Sequence, residues 1–296
     1  MRKTKKQWID EFRIKAEKEL PYAKKKGKKD KQSEFLNKKI KGYLESSTEE
    51  IVKCADKEGW KNEELLGEVL LLTYASYIVM LEYRNKVWPY EYMAFARRIG
   101  ELWEPFCKIP FKYPIRELTI VAPLDFGIIQ KKFDQEINDC ISDLNITSGS
   151  NRILKYYELL WGVINSNKIS LALDLHFEQD GIHYNCDFKS GFSSNEKGNV
   201  NRLLLVGCIY KRLIKNEKTL LFVRQKESQN NNYFKTLKQS DYWECYCEDE
   251  CYKMIEKYTG FNLREWINNN IAWEDDISKE LKEHLIKYDL LKYLTW

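Results

Sequence analysis

Histidine is scarce in this chain: only His176, His183 and His284 occur in 296 residues. None lies in an HExxH pattern, and neither a Walker A loop nor a dinucleotide-binding glycine fingerprint is present, so those zinc, nucleotide and nicotinamide chemistries are excluded. Long apolar runs are missing too. The longest, Val69–Leu81, is interrupted by Thr73 and Ser76 and bounded by Glu68 and Glu82. It is too short to span a bilayer and reads as a buried helix, so no membrane partner is expected. The start, MRKTKKQW, is basic with no apolar segment behind it, which argues against an export signal and for a cytoplasmic protein. The 8 cysteines are scattered, so reduced thiols fit better than a disulfide framework. Cys245, Cys247 and Cys251 cluster, but without a nearby histidine or a second cysteine pair a structural zinc lacks its fourth ligand.

What is present is a chain long enough for one large domain or two modest ones, with 43% hydrophobic and 14% aromatic residues to fill a core. Charge is uneven. The first 41 residues hold 16 Lys and Arg against 6 Asp and Glu, a local +10 in a chain of +4 overall, so the remainder carries −6. The run KKKGKKDK contributes Lys24, Lys25, Lys26, Lys28 and Lys29 as candidate phosphate contacts; its alternative role is a solvated loop.

Periodicity predicts a helical first third. Lys5–Leu20 is amphipathic and is expected to stop at Pro21; Asn62–Asn85 is apolar on most sides. Pro89 is expected to open a helix with Met93, Ala96, Ile99, Leu102 and Trp103 on one face, and Pro105, Pro110 and Pro114 to break the pattern. A boundary there divides a helical region, residues 1–114, from an α/β region, residues 115–296. In the second region, Leu118–Ala122 reads as a strand, Asp125–Leu144 as a helix and Thr147–Ser150 as a turn. A helix follows to about Asn165, with Ile153, Leu154, Tyr157, Leu160, Trp161 and Ile164 as its apolar stripe. Two strand-like runs come next, Lys168–Glu178 and Ile182–Phe192, joined by Asp180–Gly181, a strong hairpin signal. Ser193–Asn199 reads as a loop, Val200–Lys215 as a helix, Thr219–Val223 as a buried strand and Trp243–Cys247 as another strand. Helices follow at Glu250–Tyr258, closed by Gly260, and after the Asn262/Glu265 capping pair. A terminal helix carries Ile277, Leu281, Leu285 and Tyr288.

The hairpin carries the chemistry. With Asp180 and Gly181 as turn residues, Gln179 faces Ile182, and the same register sets Asp174 directly opposite Asp187, Cβ atoms about 5 Å apart. Lys189 shares the face of Asp187. Like charges so placed destabilise a sheet, whereas a divalent cation between them turns repulsion into ligation. Mg²⁺ suits oxygen ligands and keeps several waters. Lys189 would then serve a water or offset charge developing on phosphorus. The plain alternative is two unrelated surface aspartates. His176 is expected on the Asp174 face and His183 on the face opposite Asp187. Gly191 removes bulk where a phosphodiester would approach.

Asp174, followed at thirteen residues by Asp187-Phe188-Lys189 within a helix–hairpin–helix–strand succession, resembles the PD-(D/E)xK nuclease superfamily, which includes most type II restriction endonucleases. The resemblance covers roughly residues 150–223. It implies a restriction-endonuclease-like α/β core, a mixed central sheet flanked by helices, between a helical N-terminal region and a helical C-terminal extension. It makes Asp174 and Asp187 magnesium ligands, the Phe188 carbonyl a further ligand, Lys189 the catalytic lysine and Glu158 the helix-borne acid that many members add. It also implies cleavage of double-stranded DNA at a specific site, a homodimer and a cognate DNA methyltransferase. A repair or recombination nuclease on the same core, or a non-catalytic DNA-binding protein, are the alternatives. Two departures stand: Leu173 replaces the usual proline before Asp174, and one further strand is missing ahead of the hairpin. Leu118–Ala122 is the strand available to fill that place.

Overall fold

The computed structural model describes residues 2–144, 149–165, 170–192 and 197–296. Thr147 and Ser148 of the expected turn, Lys168 and Ser193 lie outside these, as do the side chains of Leu160, Trp161 and Ile164.

The helical region comprises α1 (Lys5–Lys24), α2 (Lys29–Glu58), α3 (Asn62–Val87) and α4 (Tyr92–Lys112). A capping box starts α1: Gln7 N–H donates to Thr4 Oγ1 and Thr4 N–H to Gln7 Oε1. Gly59, at φ +68°, closes α2 in the left-handed conformation that few other residues tolerate. By length and composition α3 could cross a membrane, but 72% of its apolar window is buried within the fold, as a central helix requires.

Proline does not stop these helices. Pro21 lies in the final turn of α1, and Pro105 and Pro110 lie inside α4. Pro21 and Pro105 are exposed, so carbonyls freed by their missing N–H groups face water. Burial of Leu102, Trp103, Phe106 and Phe111 holds α4 together through its prolines. Met93 is 72% exposed and drops out of the expected apolar face, where Phe95 is buried instead.

After α4 come β1 (Thr119–Ile120), α5 (Phe126–Asp143), α6 (Ser150–Asn165), β2 (Leu175–Gln179), β3 (Ile182–Lys189), α7 (Lys197–Leu213), β4 (Glu217–Val223), α8 (Asn232–Gln239) and β5 (Glu244–Cys247). The chain ends through α9 (Asp249–Thr259), α10 (Leu263–Asn270), α11 (Trp273–Asp276) and α12 (Lys279–Lys287). Gly260 and Asn262 cap α9 and α10 as expected. Tyr288 lies past α12 and is exposed, leaving Ile277, Leu281 and Leu285 buried.

The fold is α/β, with a five-stranded mixed sheet in the order β1-β2-β3-β4-β5 flanked by helices. β1, β2 and β3 run antiparallel, and β3, β4 and β5 parallel. β1, all that is strand of the expected Leu118–Ala122 run, pairs with β2 although two helices separate them in the chain.

Alternation splits the sheet's faces. Phe177, Tyr184, Cys186, Phe188, Leu220 and Phe222 join a core that also takes in α1–α4 and the C-terminal helices, from Trp8 to Leu294. Trp103 meets Phe188 edge-on at 6.0 Å, and Phe111 lies tilted against Phe177 at 5.2 Å. Each such ring contributes about 1.5–3 kcal/mol by burial. On the opposite face, Leu221 and Val223 pack with Val200 and Leu203 of α7 and Leu237 of α8.

Candidate active site

Asp180 and Gly181 have φ of 55° and 72°, the two left-handed residues of a tight hairpin turn. The register follows as read: Gln179 faces Ile182 and Leu175 faces Cys186. There the ladder stops. The first strand-like run is strand only from Leu175, so Asp174 sits at a bend rather than paired in the sheet. Its Oδ2 instead accepts the Phe188 N–H at 2.8 Å, taking the place the next strand carbonyl would have held. This keeps the two carboxylates adjacent without stacking them squarely. In a strand a residue's N–H and C=O point to the same edge, so the Phe188 carbonyl also faces Asp174.

Asp187 is 1% exposed. Lys189 Nζ lies 2.6 Å from its Oδ2, an ion pair whose carboxylate is held out of water. Arg202 of α7 approaches Oδ1 at 3.4 Å. Burial pushes the Asp187 carboxyl up to about 6; Lys189 and Arg202 oppose the rise and nearby Asp174 adds to it. A buried acid beside a second acid is a donor set that fits a divalent cation. Two carboxylates, one carbonyl and water suit magnesium, which retains much of its hydration.

Glu158 does not join them. It is exposed on α6, and among the described residues no three His, Cys, Asp or Glu side chains gather as a metal site. The Ile153 end of the expected stripe is exposed as well.

The bend at Asp174 is tied down from several sides. Leu173 N–H donates to His176 Nε2 at 2.9 Å, Arg202 reaches the Ala172 carbonyl at 3.4 Å, and Tyr210 of α7 bonds the Leu171 carbonyl at 3.1 Å. His176 is buried, and burial lowers its pKa, in keeping with a neutral ring that accepts at Nε2 and donates at Nδ1. Nδ1 bonds Asn185 Oδ1 at 2.7 Å, and Asn185 Nδ2 donates to Glu217 Oε2 at 2.6 Å. His183 Nδ1 meets the other Glu217 oxygen at 3.0 Å. His183 therefore shares the face of Asn185 and Asp187, contrary to the expectation, because residues two and four apart in an unbroken strand point the same way. Burial pushes the Glu217 carboxyl up, and its bonds from Asn185 and His183 pull against that rise.

Arg202, Asn185 and Glu217 were not singled out from sequence. Asn185 carried a signal as a polar residue on the same strand face as Asp187 and Lys189, and Arg202 as the lone charge between Lys197 and Lys211 on a leucine-rich helix; Glu217 carried none, lying before the expected Thr219–Val223 strand. Gly191 has a different use from the one expected. A Cβ there would meet the Gln225 amide at 1.8 Å, so the glycine makes room for that side chain rather than for a passing phosphodiester. Cys251, of the cysteine cluster, is buried, and its Sγ lies 2.9 Å from the Tyr246 carbonyl.

Lys24, Lys25, Lys26, Lys28 and Lys29 are exposed around the α1–α2 connection, with Lys26 Nζ 5.1 Å from the Phe35 ring centre. A separate trough, about 990 Å³, reaches the Asp174 bend from the helical region. No protein-family model, no curated protein and no solved structure matches this chain.

Proposed function

We propose that this protein is a magnesium-dependent DNA nuclease of the PD-(D/E)xK kind, with a restriction-endonuclease-like core. The observation that carries the reading is Asp187: a fully buried carboxylate with a second carboxylate on the adjoining bend and Lys189 at 2.6 Å. As structure alone that cluster is costly, because desolvating ionised groups outweighs much of their pairing. As a phosphodiesterase site each part has a task.

Asp174 and Asp187, with the Phe188 carbonyl, would hold Mg²⁺. When bound, the ion supplies positive charge against the phosphoryl oxygens and acidifies coordinated water. Lys189 orients the attacking water and offsets negative charge building on phosphorus. The water oxygen joins phosphorus as the bond to the leaving sugar oxygen breaks, and the displaced proton ends on that oxygen. Arg202 steadies Asp187 and the bend at Ala172 at once.

The finer reading, a type II restriction enzyme cutting both strands of a fixed site as a homodimer, rests on the resemblance of Asp174 and Asp187-Phe188-Lys189 to that group. Incubation with a large plasmid, with and without Mg²⁺, tests both levels. Discrete magnesium-dependent fragments are expected. An unresolved smear points to the repair or recombination alternative, and intact plasmid under all conditions sinks the nuclease reading.

A further inference from the structure

The trough that ends at Asp174 is built from one face of each of three helices. Lys38, Lys41 and Leu44 of α2 form one wall; Arg98, Leu102, Pro105, Lys108, Ile109 and Lys112 of α4 form the other; Val69, Tyr77 and Met80 of α3 lie along its floor. The helical spacing on α4 means that a single continuous stripe lines it. At about 990 Å³ it lies at the upper end of ligand-sized clefts.

Its charges are arranged in a particular way. Lys108 is held by Glu104 at 2.8 Å and reaches the Asp174 carbonyl at 3.4 Å, and Arg98 is held by Glu101 at 3.4 Å. Lys38, Lys41 and Lys112 are exposed, and among the described residues no carboxylate lies within ion-pair distance of them. Glu45 and Glu49 also line the trough. With Glu101 and Asp174 lining it too, the trough carries isolated cations rather than a uniform positive field.

An apolar floor beneath isolated cations suits one class of polyanion better than another. A duplex presents phosphates and groove edges and hides its base faces. An unpaired strand presents phosphates together with flat apolar bases, which bind apolar and aromatic surface. We infer that the trough receives an unpaired strand of the nucleic acid whose phosphodiester the Asp174–Asp187–Lys189 site attacks. This rests on the magnesium-nuclease reading but departs from its type II restriction form, and it favours a substrate that is single-stranded, forked or opened beside the scissile bond.

Binding without chemistry tests it. Fluorescence anisotropy of the full chain in EDTA, with labelled oligothymidine and with a blunt duplex, should show the single strand bound at least about tenfold more tightly, roughly what one stacked base contributes. Replacing Lys38, Lys41 and Lys112 together by Gln should reduce the slope of log affinity against log salt by about 2, at about 0.7 for each lost single-strand contact. The triple variant Lys253→Gln, Lys279→Gln, Lys287→Gln, at exposed lysines away from the trough, should leave that slope in place. All six lysines are exposed, so both variants should fold, which a melting curve checks. Equal or tighter binding of the duplex, or an unchanged slope in the trough variant, overturns the inference whatever the parent does to plasmid DNA. A parent that binds as stated yet never cuts overturns the nuclease reading and leaves the trough standing as a strand-binding site.

Discussion

The two faces of the β2–β3 hairpin are made by alternate residues of the same dozen positions, yet they are built to opposite rules. One face, with Leu175, Phe177, Tyr184, Cys186 and Phe188, is dry, aromatic and continuous with the main core. The other, with His176, Asn185 and Asp187, is nearly as buried but polar, and each of these groups leans on a neighbour. The first face stabilises by area, whatever the fine geometry. The second works only if its partners are all in place, because a buried polar group that loses its partner costs more than the pair contributes. On the proposed reading, stability and chemistry are separated in this fold by one residue along the strand.

Breaking the dry face should have the largest effect. Phe188→Ala removes a ring that is 1% exposed and packed on Trp103 and Phe222. A loss of about 3–5 kcal/mol in urea unfolding is expected, and Leu at this position should recover most of it. A loss below about 1 kcal/mol would show that the aromatic face is not what holds the hairpin to the helices.

Breaking the polar face should leave the fold and remove the reaction. Lys189→Ala, one residue further on, exchanges a partly exposed amine for a methyl group. Single-turnover DNA cleavage should fall by at least about a hundredfold with little change in magnesium affinity, since an ammonium is no metal ligand. Asp187→Asn should lower cleavage and magnesium affinity together. If either variant, folded, cuts at the parental rate, the division of labour proposed for this face is wrong.

The smallest effect sharpens the comparison through pH. The Asp187 carboxyl stands at about 6 in the folded chain against 3.8 for an unperturbed aspartate. Its folded value is raised, so its contribution to stability is complete below about 3.8 and is lost as pH rises through about 6. Metal-free protein should therefore lose up to about 2–3 kcal/mol from this group across that window, and Asp187→Asn should flatten that part of the profile. Added Mg²⁺ should stabilise the parent most at the upper end, where the carboxylate is ionised. A parent and variant with parallel profiles would mean that Asp187 is not strained by its burial.

Much of this was legible without coordinates. Asp180–Gly181 between two alternating runs dictates a two-residue turn, and the turn dictates the register, because side-chain direction repeats every two residues and leaves no freedom once the turn is set. The same reasoning places Asp187 and Lys189 on one face and identifies α3, whose apolar residues go all the way round. It did not reach the bend at Asp174, since the end of a strand depends on which partner satisfies the next N–H, and here a side chain competes with backbone. Nor did it reach the prolines inside α4, where burial of the helix's other face outweighs a local preference.

What the sequence by itself determined is what depends on neighbours in the chain: helix stripes, caps, the hairpin and the shared face of the acid and the lysine. What only the tertiary structure decided is what depends on distant segments meeting. β1 crosses two helices to complete the sheet, Arg202 comes from α7 to Asp187, Glu217 comes from β4 to Asn185, and three helices leave a trough that ends at Asp174. Local spacing sets which way a side chain points, but burial and charge at a site are sums over everything packed around it. Those sums exist only once the chain has folded.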